Sequence, residues 1–146
     1  MSTISPISSL GPFSQVMETA ASAMRAQSIR LRLVSENLAN ANSTASTPGG
    51  DPYQRKTVTF EETIDKATGA SVVEPASFDV DHAPFRTEYD PSHPAADANG
   101  YVKLPNVTEL VEVADMREAE RSYEANLAVL GQARSMISKT LDILKA

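Results

Sequence analysis

A chain of 146 residues with 13 Lys+Arg against 19 Asp+Glu carries a net charge of −6, which argues against a nucleic-acid binder, whose phosphate contacts need a basic surface. It contains no cysteine, so disulfides, thiolate metal sites and a cysteine nucleophile are excluded. The length suits one domain, aromatic residues at 5% supply little bulk for a compact core, and no apolar run approaches the ~20 residues that cross a bilayer.

The opening Met1-Ser-Thr-Ile-Ser-Pro6 has neither a basic nor an apolar signal region, so no cleaved Sec signal is expected. No proline occurs from Phe13 to Thr47, as an uninterrupted helix requires. In that stretch Phe13, Met17, Ala20, Met24, Gln27, Leu31, Val34 and Leu38 alternate steps of four and three, a heptad seam with Gln27 as its polar member. Pro12 suits the first turn, and Asn37-Leu-Ala-Asn-Ala-Asn-Ser43 is expected to end the helix near residue 40. Asn37, Asn40 and Asn42 fit a sharp exit, because asparagine tolerates left-handed backbone and bonds to nearby main chain. Residues 1–42 thus read as an N-terminal axial helix.

Residues 43–105 hold seven of the nine prolines and a net charge of −5 over residues 51–105. They read as a turn-rich linker followed by a small β-rich insert. Lys56-Thr-Val-Thr-Phe60 alternates with period two, and further short strands are expected at Ser71–Glu74, Ser77–Val80, Arg86–Tyr89 and from Tyr101. Residues 106–146 form the C-terminal axial helix. Leu110, Val113, Met116, Ala119, Tyr123, Leu127, Leu130, Ala133, Ile137, Leu141 and Leu144 make one stripe, with Glu109, Glu112, Arg117 and Arg121 among the residues on the other faces.

The expected fold is therefore mainly α: long N- and C-terminal helices forming a coiled-coil-like axial domain, with a small β-rich central insert. At 1.5 Å per residue the arms measure roughly 40 and 60 Å, whereas a compact globule of this size is about 40 Å across. Two thin stripes do not bury each other, so the remaining burial is expected to come from other copies or related chains, and dilute monomer is expected to leave both arms largely disordered.

Catalytic patterns are missing. His82 lies near Asp79 and Asp81 without further ligands at metal spacing, Gly49-Gly50 makes no phosphate loop, and Glu61-Glu62 point to opposite faces of a strand. No enzyme activity, cofactor or metal is expected.

Asn37-Leu-Ala-Asn-Ala-Asn-Ser-Thr44 resembles the N-terminal signature of bacterial flagellar rod and hook proteins. Pro52-Tyr-Gln-Arg-Lys56 resembles the segment that follows it in proximal rod subunits. Tyr101-Val-Lys-Leu-Pro-Asn-Val107 and Met116-Arg-Glu-Ala-Glu-Arg-Ser-Tyr-Glu-Ala-Asn126 are similar to the C-terminal motif of FlgC-type proximal rod proteins. The resemblance covers both arms, and the short middle separates the chain from distal rod and hook proteins. It implies a structural subunit of the flagellar basal body that polymerises into the torque-transmitting shaft around the export channel. Such a subunit is exported through the flagellar type III apparatus and joins itself, other rod subunits, the base adaptor and the export apparatus. The alternatives are a needle or filament component of a related secretion machine, or a small enzyme or binding domain.

The assembly interface is expected to draw on Phe13, Met17, Ala20, Met24, Leu31, Val34 and Leu38 of the first seam. From the second it draws on Met116, Ala119, Tyr123, Leu127, Leu130, Ile137 and Leu141. The signature residues Asn37, Asn40, Tyr53, Arg55, Lys56 and Asn126 complete it. Arg55 and Lys56 are expected either to meet acids of a neighbouring subunit or to remain solvated.

Overall fold

A computed structural model describes residues 11–145; the first ten residues of the expected N-terminal axial segment, and Ala146, lie outside them. Two long helices flank four strands, in the order α1 (Gly11–Ala39), β1 (Lys56–Ile64), β2 (Ser71–Val80), β3 (Arg86–Tyr89), β4 (Tyr101–Leu104) and α2 (Glu109–Lys145). The strands make two separate two-stranded sheets, β1 with β2 and β3 with β4. The mainly α architecture around a small β insert is the one expected.

Two local expectations are corrected. Ser71–Glu74 and Ser77–Val80 are one strand, β2, running through Pro75; in a two-stranded sheet every strand is an edge, so the missing proline N–H costs no ladder bond when it faces outward. The asparagines at the end of α1 do not use left-handed backbone, since no described non-glycine residue has a positive φ. They act through side chains instead. Asn40 Nδ2 donates to the Glu36 carbonyl at 2.8 Å and Ser43 Oγ to the Asn40 carbonyl at 2.9 Å, each adding a second bond to a carbonyl that already accepts the Asn40 or Ser43 N–H.

The chain divides into two compact units. One comprises residues up to Ile29, Phe60–Ala76 and residues from Ala119; the other comprises Arg30–Thr59 and Ser77–Glu118. In the first, Ser22 of α1 is buried, donating to the Thr19 carbonyl at 2.8 Å and accepting the Val73 N–H of β2 at 3.1 Å. Ala20, Ala26, Ala70, Val72, Ala119 and Ala133 are the buried apolar residues there. In the second, Leu33, Val34, Ala41, Val102, Pro105 and Val107 form the core. Besides Ala20 and Val34 of the heptad seam, α1 thus buries Ser22 and Ala26 in the first unit and Leu33 and Asn37 in the second, offset by roughly a third of a turn from that seam. Most of the seam is left half-buried.

β3 and β4 pair antiparallel, Arg86 opposite Leu104 and Tyr89 opposite Tyr101. Arg86 donates from Nε to the Pro105 carbonyl at 3.2 Å and from Nη2 to the Ala41 carbonyl at 3.1 Å, tying the ribbon to the exit of α1.

Candidate functional site

The second unit is organised around a buried polar clasp. Asn37, 1% exposed, is the third residue from the end of α1 and uses its whole amide. Its Oδ1 accepts the Lys56 N–H at 2.9 Å and the Tyr53 hydroxyl at 2.8 Å; its Nδ2 donates to the Lys56 carbonyl at 3.0 Å and to Glu112 Oε2 at 3.1 Å. The side-chain amide therefore pairs with both main-chain groups of Lys56 as a neighbouring strand would, docking α1 onto the first residue of β1.

Glu112, fully buried in the first turns of α2, takes a second bond from Arg55 Nε at 2.5 Å. An ionised carboxylate at zero exposure needs such charge-assisted partners to offset its lost hydration. Arg55 also approaches Asp115 at 3.6 Å and Asp81 at 3.8 Å, so three carboxylates surround one guanidinium. Its main chain is fixed as well: Arg55 N–H donates to Asn106 Oδ1 at 2.8 Å, and the Arg55 carbonyl accepts the Asp81 N–H at 2.7 Å. Lys56 pairs with Glu36 and lies 5.9 Å from the Tyr53 ring centroid. Burial first, then the charges of Glu36 and Glu112, push the Tyr53 hydroxyl up to about 12. At the rim, Asn42 Nδ2 donates to Glu109 Oε1 at 2.7 Å. The arrangement contains no activated nucleophile or paired acid and base with open access. What it does is hold the exit of α1, the start of β1 and the start of α2 in one register.

The clasp also corrects the reading of α2. Glu112, expected on an outer face, is buried, and Leu110, expected in the stripe, is 80% exposed. The inner face of α2 runs Glu112, Met116, Ala119, Tyr123, with steps of four, three and four, so the first turns are rotated by about 100° from the apolar choice Leu110–Val113. Sequence reading likewise missed Glu36, Asp81, Arg86, Asn106 and Asp115. Extending the stripe backward from Ala119 and Met116 allowed either Val113 or Glu112, and hydrophobicity favoured the wrong one.

Of the remaining residues expected at the interface, Ala20, Val34 and Ala119 are buried. Phe13, Met17, Met24, Leu31, Leu38, Met116, Tyr123, Asn126, Leu130 and Ile137 are half-buried, and Leu127 and Leu141 exposed. The first unit brings Met17, Leu130 and Ile137 together along a groove of about 710 Å³, with Ala21, Thr68 and Arg134. Asn126 turns back on its own helix, donating to the Ser122 carbonyl at 2.8 Å. In the same unit α2 exposes a second apolar line, Val129, Met136 and Ile143 at seven-residue intervals, while Leu127, Leu141 and Leu144 of the first stripe are exposed on a different side of the helix. No described helix is long and apolar enough to cross a membrane.

Residues 17–45 match the family model described as flagella basal body rod protein, and residues 98–143 the one described as flagellar basal body rod FlgEFG protein C-terminal. The chain is 53% identical to the flagellar basal-body rod protein FlgC of Agrobacterium fabrum, over 94% of this chain and 99% of that one. It is 44% identical to FlgC of Salmonella typhimurium, over 88% and 95% of the two chains. Against FlgC of Borreliella burgdorferi it is 36% identical, over 93% and 99%.

Proposed function

The chain belongs to the FlgC family of flagellar basal-body rod proteins, and from that premise we propose that it polymerises through its terminal helices into the axial shaft. It is a structural subunit of the basal-body rod, assembling with other rod subunits, and not an enzyme. In our reading residues 1–42 and 106–146 carry the axial contacts and residues 43–105 form the outer insert. The assembled shaft is proximal in the rod, transmits torque and encloses the export channel. The subunit reaches it through the flagellar export apparatus without a cleaved signal and meets the base adaptor there.

The observation that carries the reading is the apolar surface that α2 exposes on more than one side. Leu127, Val129, Met136, Leu141, Ile143 and Leu144 are all exposed on one helix, an arrangement that a protein working alone has no reason to maintain. Neighbouring helices in a shaft cover it.

The test uses cysteines in a chain that has none. Leu31→Cys and Leu130→Cys together, oxidised in assembled basal bodies, are expected to give intermolecular ladders. Monomeric protein after oxidation, with the chain present in those basal bodies, would exclude polymerisation through the helices.

A further inference from the structure

The β3–β4 ribbon presents Tyr89 and Tyr101 side by side, ring centroids 5.2 Å apart and edge to face, yet 65% and 47% exposed. The turn beneath them is rigidly built. Asp97 Oδ1 accepts the Asn99 and Tyr101 N–H groups at 2.8 and 2.9 Å, and Asp90 Oδ1 accepts the Ser92 N–H at 3.1 Å and hydroxyl at 2.6 Å. Those bonds use Oδ1 of both carboxylates and hold both acids below the usual carboxylate range. Gly100 has φ 83°, and a Cβ there would stand 3.0 Å from the Tyr89 ring and 3.0 Å from Pro91 Cβ. A preorganised, amphipathic aromatic pair that is not spent on the protein's own core has the character of a binding hot spot.

A complementary surface lies in the same unit. Leu110, Ala114 and Arg117 share one face of α2 at steps of four and three; all are exposed, and Arg117 has no ion pair among the described residues. The face extends about 10 Å from leucine to guanidinium, enough to lay an apolar end and a cation across two rings and their flanking carboxylates. Since both patches are exposed in one copy, neither covers the other. Two different, mutually complementary surfaces on one subunit make a heterologous contact, the kind that repeats into an open helical assembly.

We propose that the Tyr89–Tyr101 platform of one copy receives the Leu110–Ala114–Arg117 face of a second copy. Leu110 packs on one ring, and Arg117 stacks on the other and pairs with Asp90 or Asp97. The proposal rests on the rod reading and names one lateral contact within it.

The test uses full-length chains in a motile host lacking its own copy. Thr87, on the tyrosine side of β3, and Ala114 are replaced singly (Thr87→Cys, Ala114→Cys), and both variants are co-expressed. Oxidation of purified basal bodies is expected to give a cross-linked dimer that neither variant gives alone. Its absence with both variants in the rods, or a cross-link from Thr87→Cys to a different rod protein, overturns the proposal. In a second measurement, Arg117→Glu is expected to lower incorporation roughly tenfold, and adding Thr87→Arg in the same chain to restore it. Normal incorporation of Arg117→Glu, or no restoration in the double variant, overturns the contact as well. If the unaltered chain were missing from basal bodies, the rod reading itself would fall instead.

Discussion

Replacing Arg55 with methionine is expected to be among the most damaging single changes outside the helical seams. Glu112 has zero exposure and two hydrogen bonds, one from Arg55 at 2.5 Å and one from Asn37 at 3.1 Å. Arg55→Met leaves that carboxylate with a single neutral donor and with Asp81 and Asp115 close by. Stranding one charge of a buried pair costs about 3–5 kcal/mol. Arg55 is itself 23% exposed, so water reaches the vacated space in part and the lower end applies. About 3 kcal/mol is roughly a hundredfold in the folded-to-unfolded ratio, or ~6–12 °C in Tm for a chain of this size. Adding Glu112→Leu removes the stranded charge, and the double variant is expected to recover most of the loss. A residue of about 1 kcal/mol remains, because Asn37 Nδ2 keeps Lys56 but loses one acceptor. Urea titrations of the purified chain followed by far-UV circular dichroism, compared at equal m-values, measure all three variants. If Arg55→Met cost less than about 1 kcal/mol, or the double variant were no more stable than the single, Glu112 would not be a desolvated charge and the clasp reasoning would fail.

Two further outcomes follow from the same geometry. Tyr53 is expected to ionise near pH 12, whereas in the unfolded chain it releases its proton near 10. Between those values the unfolded chain binds fewer protons, so stability falls as pH rises through that window and is unaffected by this group below it. Absorbance titration at the phenolate band, differenced against Tyr53→Phe, measures this; a Tyr53 that titrates near 10 would mean its hydroxyl is neither desolvated nor held beside the charges of Glu36 and Glu112. Val34→Asp places a carboxylate at a position 5% exposed, where an unpaired charge costs several kcal/mol. Synthesis is expected to continue while rods and motility are lost, with exposed Ser35→Asp as the harmless control; unimpaired swarming of Val34→Asp would contradict the packing of α1.

Both helices were legible because their signals are local: proline-free arms and apolar residues every three or four positions. The groove uniting Met17, Leu130 and Ile137 follows from those stripes. The strands at Lys56, Arg86 and Tyr101 were also readable from period two or their flanking turns. Pro75 concealed the continuity of β2, because whether a proline breaks a strand depends on which partner edge its nitrogen faces. The clasp was hidden for a different reason. Asn37 and Glu112 are 75 residues apart and Arg55 and Glu112 are 57 apart. A carboxylate reads as surface until the cation that permits its burial is known, and no periodicity links the two. Asn37 was singled out for a backbone role, yet its side chain mimics a strand.

The distribution of these contacts inverts the usual one, and the inversion has a mechanical consequence. Glu112 and Asn37 are buried, while Leu110, Ile143 and Leu144 are each at least 76% exposed. Hydrogen bonds and ion pairs are directional, so the clasp fixes the geometry of the second unit within each copy. Apolar burial is non-directional and scales with area, so in the proposed shaft the line along α2 would tolerate neighbours that are not identical. A rod built from several kinds of subunit needs that division: fixed geometry inside each piece and adaptable adhesion between pieces. Mutations in the clasp should therefore change the form of the rods that are made, and mutations along Val129, Met136 and Ile143 should change how many are made.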